Sequence, residues 1–451
     1  MGKMRIAGAA AAIMALMLAA CGEDRTGEYY ALTDGQRWIY DTMQENYLFY
    51  EDLPEESSVN FFQTPAAFLN SIASGKDKKN GSLYSHVDSV EAVRASSSLS
   101  YGIEGVMVRN DSVGDYAMHV LYVEPASPAS EAGLKRGDWV IAVDNAKLSS
   151  NDYSTYFGSP VQAHQFTLGK LNAQNLYDTL QTITMPAPRT VVKQNLYLTR
   201  MLEANGEKIA YVMYNEFGSG DSNALTEAFA NLAASSPKAI ILDLRYNPGG
   251  YLSAAQLLAT LLAPQEAMGK TFINLTYNSK LDKTETLTFD ASQQPQGALA
   301  YGNLYVITSP ITASASEAVI NCLKPYLGDR LIQVGTTTFG KNVAQSLFTN
   351  ANHPRLELWL TTAYLSNASG EGDYSNGLKP DYEVAENYAG TLNPLGEWTE
   401  TLLAPIYTHL TTGSFPASSG TSQIQSPASV HFSVTANSLD QKPRLTKFRQ
   451  D

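Results

Sequence analysis

The sequence predicts an α/β protein built from several units: a helical lead-in, a small β module and a larger domain in which strands alternate with helices. Three observations carry that prediction. The chain has 451 residues, about three times the ~150 residues of an ordinary domain, so more than one core is expected. Apolar residues recur at helical spacing before residue 95, then give way to short β-type runs between 96 and 187. From 188 to about 390 the two patterns alternate, as strands linked by helices do.

In the lead-in, Trp38, Ile39, Met43, Tyr47 and Leu48 mark a helix with Thr33 or Asp34 as its cap and a break at Pro54. A second short helix is expected from Pro65 to Ile72. The polar stretch Gly75 to Gly81 that follows reads as a loop without a ligand. Strands are expected at 105–108, 119–123 and 139–143. Pro186-Ala187-Pro188 then marks a boundary. Beyond it, 209–214, 239–244, 304–308, 331–334 and 356–361 read as strands, and 224–234 and 252–262 as helices. A last helix is expected through 398–410, before a Ser/Thr/Pro/Gly-rich linker at 412–430. The expected units are 1–20, 21–95, 96–187, 188–390 and 391–451.

Composition excludes several functions. Lys+Arg number 31 against 44 Asp+Glu, a net charge of −13, which argues against nucleic acid and against a polybasic membrane patch. Two cysteines cannot form a disulfide scaffold or a cysteine zinc site. At the start, Lys3 and Arg5 precede the apolar run Ile6 to Ala20. That run is too short to span a hydrocarbon core of ~30 Å and suits the apolar part of an export signal. It ends Leu18-Ala19-Ala20-Cys21, which resembles a bacterial lipobox. The resemblance implies lipidation of Cys21 and a body tethered to a Gram-negative cell envelope, and Gly22 in place of Asp suggests the outer membrane. Cys322 is then expected to be a lone, buried thiol.

The string Pro125 to Asp138, with Gly133-Leu134 and Gly137-Asp138 ahead of Val143-Asp144, resembles a PDZ domain. In that resemblance Tyr101-Gly102-Ile103 matches the loop whose backbone N–H groups receive a chain end. The adjacent strand edge would add the peptide as an extra strand.

No two of the six histidines sit at metal-ligand spacing, and neither H-E-x-x-H nor G-x-S-x-G occurs. Three other blocks stand out: Leu242-Asp243-Leu244-Arg245-Tyr246-Asn247-Pro248-Gly249-Gly250, Thr312-Ala313-Ser314-Ala315-Ser316-Glu317, and Phe339-Gly340-Lys341-Asn342-Val343-Ala344-Gln345. In this order, behind a PDZ-like module and ahead of Gly377-Leu378-Lys379-Pro380-Asp381, they resemble the carboxyl-terminal processing (tail-specific) serine peptidases over residues 100 to 385. The resemblance implies an α/β catalytic domain of ClpP/crotonase-like β-α units. A serine at a helix N-terminus has unpaired backbone N–H groups beside it, which favour developing negative charge. Alignment with the family makes Ser314 the nucleophile, although Ser316 is barely separated from it by sequence. With no partner histidine, the base falls to a lysine made less basic by apolar burial. By resemblance that lysine is Lys341, and Gln345 holds it. The Asn-Pro-Gly-Gly turn would supply an oxyanion donor, Gly249 in preference to Gly250, together with the N–H of Ala315.

Two departures are visible. Ser314 and Lys341 lie 27 positions apart, slightly longer than the family's spacing, and Asn342 stands where Gly is expected. Pro325 is expected to stop the nucleophile helix early. The reading is a lipid-anchored serine endopeptidase without metal or cofactor, acting on exported polypeptides with exposed apolar C-termini. The alternative is an inactive homologue acting as a peptide-binding lipoprotein, and a third possibility is glycan or peptide capture at the cell surface.

Overall fold

The structure is a computed structural model and describes residues 26–89, 99–294, 299–353, 355–417, 432–442, 444 and 446–448. The expected export signal, Cys21 and positions 418–431 of the expected linker lie outside the described residues.

The central element is a six-stranded sheet in the order Leu196–Ala204, Glu207–Tyr214, Ala239–Asp243, Leu304–Thr308, Leu331–Gly335 and Tyr382–Glu383. All its pairings are parallel except the first, a hairpin on the edge. Parallel strands are covered on both faces, hence unbroken runs such as Ala239–Asp243, in which every residue is buried. Helices Ser222–Ser235, Leu252–Leu262 and Ala315–Leu327 pack their apolar residues into the core on one side. On the other side, Tyr211, Ile241 and Ile307 join Leu403 and Ile406 of helix Leu403–Thr412 and Val106, Leu121 and Trp139 of the PDZ-like module.

That module is a seven-stranded sheet built on Ile103–Asn110, Tyr116–Val123, Trp139–Val143, His164–Leu171 and Tyr177–Met185. Its short helix Pro128–Glu131 is capped by the Ser127 hydroxyl. A third sheet, in the order Gly250–Tyr251, Thr446–Phe448, Val343–Thr349, Leu356–Ser366, Thr271–Tyr277 and Thr284–Thr288, carries the loop of Lys341. His86–Ser89 of the lead-in pairs with Leu356–Ser366 in this sheet. The lead-in thereby becomes a structural neighbour of the α/β domain.

Two expectations are corrected. The first helix spans Thr26–Asn46, so Thr33 and Asp34 lie inside it and cap nothing. The helix after Ser314 runs on through Pro325 to Leu327. Proline removes the N–H that would bond the Asn321 carbonyl, and that carbonyl instead accepts from Asn367 Nδ2 at 3.1 Å. A side chain thus supplies the missing donor, and the helix continues for a further half-turn.

Candidate active site

Strand Leu304–Thr308 delivers the chain to a tight corner in which the Thr312 N–H bonds the Ser309 carbonyl at 3.0 Å. Ser314 stands at the N-cap of helix Ala315–Leu327 with φ 62° and ψ −113°. A non-glycine residue rarely adopts such backbone angles, which cost of order 1–3 kcal/mol and concentrate at functional sites. Glu317 holds the corner, its Oε2 accepting the Ser314 N–H at 2.7 Å. Ala315 is the first helical residue, so its N–H has no acceptor within the helix. The two candidate serines separate here. Ser316 donates its hydroxyl to the Asn247 carbonyl at 3.2 Å, whereas Ser314 Oγ meets the hydroxyl of Thr446.

Lys341 lies on the loop between strands Leu331–Gly335 and Val343–Thr349. Gly340 precedes it at φ 88°, where a Cβ would come within 2.3 Å of the Ser375 carbonyl oxygen, so only glycine fits. The lysine is fully buried. Its Nζ donates to Gln345 Oε1 at 2.6 Å and to the Arg444 carbonyl at 2.7 Å, and lies 5.0 Å from the centre of the Tyr84 ring. Burial pulls the ammonium down to about 7, while Asp77 and Glu317 pull it back up and Lys447 adds to the depression. A neutral amine has two N–H donors and one lone pair. The two acceptors use both donors and leave the lone pair for a proton. Among the described residues Ser314 Oγ is hydrogen-bonded to Thr446 and not to Lys341.

Glu317 joins Ser314 to Lys341. Besides the Ser314 N–H, its carboxylate accepts the N–H of Lys341 at 2.8 Å, the N–H of Gly340 at 2.6 Å and the Thr338 hydroxyl. Four donors on one buried carboxylate compensate for much of its desolvation, although burial still raises its pKa.

The Asn-Pro-Gly-Gly turn lies alongside. Asn247 Nδ2 donates to the Tyr214 carbonyl at 2.8 Å, and its Oδ1 accepts the Gly249 N–H at 2.9 Å. This corrects the preference for Gly249 as oxyanion donor, because its N–H is already spent on fixing the turn. Gly250 is the remaining glycine, at φ 140°, where a Cβ would lie 2.2 Å from the Phe217 carbonyl oxygen. Its backbone pairs with Thr446.

The family model described as peptidase family S41 matches residues 208–384, the S41 N-terminal domain model matches 34–86, and a PDZ domain model matches 119–156. A solved structure assigned to the S41 proteases of Bacteroides fragilis is 32% identical, with a TM-score of 0.72, over 83% of this chain and 96% of that one. The chain belongs to peptidase family S41. Among curated relatives, a carboxyl-terminal-processing protease of Picosynechococcus is 28% identical over 231 residues, covering 51% of this chain and 52% of the relative. The carboxy-terminal processing protease CtpA of Bacillus subtilis is 24% identical over 305 residues, covering 66% and 60%. The chain thus spans about half to three-fifths of the length of these relatives.

In this S41 chain the loop singled out for peptide ends is packed tightly. The Gly102 N–H donates to Ser100 Oγ at 2.9 Å, Tyr101 is buried, and the carbonyls of Tyr101 and Gly102 accept from Ala129 and Glu124. Ile103 opens the strand Ile103–Asn110. The open edge of that strand is filled by a segment of the same chain, Phe432–Asn437, in antiparallel register.

Sequence reasoning missed two residues that reach this S41 site. Glu317 was legible, since Ser314 followed three positions later by Glu is a capping-box signature. Asp77 had no such signal, and it gives the 75–81 stretch, expected as a loop without a ligand, a contact to the site. Its Oδ1 accepts from the Thr361 hydroxyl at 2.6 Å, and Thr361 Oγ1 accepts from Gln345 Nε2 at 3.1 Å. From the same loop, Lys79 Nζ donates to the Phe339 and Ser375 carbonyls. A cleft of about 680 Å³ opens between this loop and the C-terminal strand, lined by Lys79, Tyr84, His86, Phe339, Arg444 and Lys447. Among the described residues no group of three or more His, Cys, Asp or Glu is arranged to hold a metal, and no helix is long and apolar enough to cross a membrane.

Proposed function

We propose that this protein is a serine endopeptidase of the carboxyl-terminal processing type, with Ser314 as nucleophile and Lys341 as its base. The observation that carries the reading is a lysine with no exposed surface, held by Gln345 and joined through Glu317 to the strained corner bearing Ser314. The lone pair of the neutral amine takes the Ser314 proton as Oγ attacks the scissile carbonyl, and the ammonium then protonates the leaving amine. The N–H of Ala315 and, once its pairing with the Thr446 strand opens, that of Gly250 would receive the oxyanion. Substrates are exported polypeptides with exposed apolar C-termini, and the PDZ-like module recognises the chain end. Lipidation of Cys21 would anchor the enzyme at the outer membrane, and incorporation of labelled palmitate lost in Cys21→Ser would establish it.

The test is mass-spectrometric cleavage of an unfolded protein ending in apolar residues, using the chain from Gly22 onward beside S314A and K341A. Cleavage by the parent that disappears in both variants supports the dyad. A parent and a chain ending at residue 431 that both bind the same chain without cutting it return the protein to the peptide-binding alternative.

A further inference from the structure

We propose that Asp77, contributed by the N-terminal domain, is a positioning residue for the catalytic base. This rests on the Ser314/Lys341 reading. Asp77 is fully buried. Burial raises the pKa of the Asp77 carboxyl and the Ser85, Thr361 and Tyr47 hydroxyls hold it down; in its ionised form it only accepts hydrogen bonds, so the Thr361 hydroxyl donates to Asp77 Oδ1. The Thr361 oxygen is then left as an acceptor, which only the Nε2 side of the Gln345 amide can satisfy. With Nε2 fixed there, Oε1 must face Lys341 Nζ. One buried charge thus selects the amide orientation that holds the lysine as a donor and aims its lone pair elsewhere. Tyr47 donates to the other oxygen, Oδ2, at 3.0 Å, and Ser85 donates to the same carboxylate, so Asp77 is itself fixed.

The charged and titratable groups facing Lys341 are Asp77, Glu317, Lys447 and Tyr84, and those facing Asp77 are Tyr47 and Lys341. Removing the Asp77 charge removes an attraction that favours the ammonium. In Asp77→Asn the acid limb of kcat/KM against pH therefore moves to lower pH, while kcat at the plateau falls about 10- to 100-fold through the misplaced amide. Thr361→Val cuts the relay and leaves the charge: kcat falls and the limb stays, and Thr361→Ser restores kcat to within about threefold. These three profiles, with K341A alongside, form the experiment. An unmoved limb in Asp77→Asn, or a Thr361→Val enzyme as fast as the parent, overturns the proposal. If Asp77→Asn does not fold, the Thr361 pair decides. Activity surviving in K341A would instead defeat the dyad reading.

A separate observation supports a second inference. We infer that strands Phe432–Asn437 and Thr446–Phe448, with the described residues between them, form an intramolecular strap that closes the site. It first fills the peptide-accepting edge of the PDZ-like module, where Ser438 Oγ accepts the Gly105 N–H at 3.0 Å and Lys442 pairs with Glu104 at 3.1 Å. It then enters the catalytic cleft. Strand Thr446–Phe448 runs between Gly250–Tyr251 and Val343–Thr349, parallel to both, in the manner of an added substrate strand. There it engages the dyad and its holder: the Arg444 carbonyl accepts a hydrogen bond from Lys341 Nζ, Thr446 N–H bonds Gln345 Oε1 at 3.2 Å, and the Thr446 hydroxyl covers Ser314. Lys447 lies over the Trp359 ring at 4.5 Å.

The experiment compares the rate of Ser314 labelling by a fluorophosphonate in the parent, in Thr446→Pro, in Lys447→Glu and in a chain ending at residue 431. Labelling at least 10-fold faster in the variants, suppressed again by a synthetic peptide of residues 432–448, is the expected result. Equal labelling in parent and point variants overturns the inference, as does Ser314-dependent trimming of the strap, which would make it a substrate. Backbone amide exchange at Thr446 is read on the unlabelled parent, and rapid exchange there overturns the strap independently of any activity.

Discussion

Lys341 is where the site is most expensive to build. Its pKa falls from 10.5 to about 7 because burial penalises the ammonium. The folded protein therefore binds fewer protons than the unfolded chain between about pH 7 and 10.5, and stability should rise with pH across that window. Below about pH 7 the lysine is protonated in both states and the full penalty applies. Lys341→Met removes the titration. The stability of the variant relative to the parent should be greatest near pH 7 and shrink toward pH 10.5, at roughly 1.4 kcal/mol per unit of pKa shift. Denaturant unfolding of both proteins at pH 7 and 10 measures this directly. The same titration predicts that kcat/KM climbs as pH passes through about 7, and a flat profile from pH 6 to 10 would contradict a lysine base.

Between elements, one carboxylate fastens helix Ala315–Leu327 to the Gly340-Lys341 loop. Glu317→Gln tests that joint. The carboxylate accepts four hydrogen bonds, two on each oxygen. An amide can accept on one side only, which leaves two donors facing an NH₂ group. The expected loss is about 2–4 kcal/mol in urea unfolding, together with a drop in kcat from the displaced lysine. The same helix shows why local rules stop short. Pro325 is a helix breaker by itself, yet the distant Asn367 side chain satisfies the carbonyl it orphans.

At the scale of the molecule, Arg136 of the PDZ-like module is sunk into the catalytic domain. Its guanidinium donates to Tyr246 at 2.9 Å and to Glu386, and Glu386 also pairs with Arg245, which is itself bonded to Asp243 and Glu400. Tyr246 adjoins the Asn247-Pro248-Gly249-Gly250 turn, so the module and that turn share one buried network. Arg136→Ala leaves Glu386 short of a partner in a dry site and should cost roughly 3–5 kcal/mol, read as a lowered melting temperature. The sequence by itself determined the α/β class, the PDZ-like module and the blocks holding Ser314, Lys341 and Gln345. Those are written locally: strand and helix periods, a serine ahead of an apolar helix, a glycine before a lysine. Only the tertiary structure decided which donors and acceptors are already spent. The Gly249 N–H is consumed by Asn247, the Ser316 hydroxyl by a backbone carbonyl, and Asp77 reaches Thr361 across 284 positions of chain. Hydrogen-bond partnership and burial depend on which surfaces meet, and in this chain the surfaces that complete the site come from the N-terminal domain and the C-terminal strand, where no local pattern records the encounter.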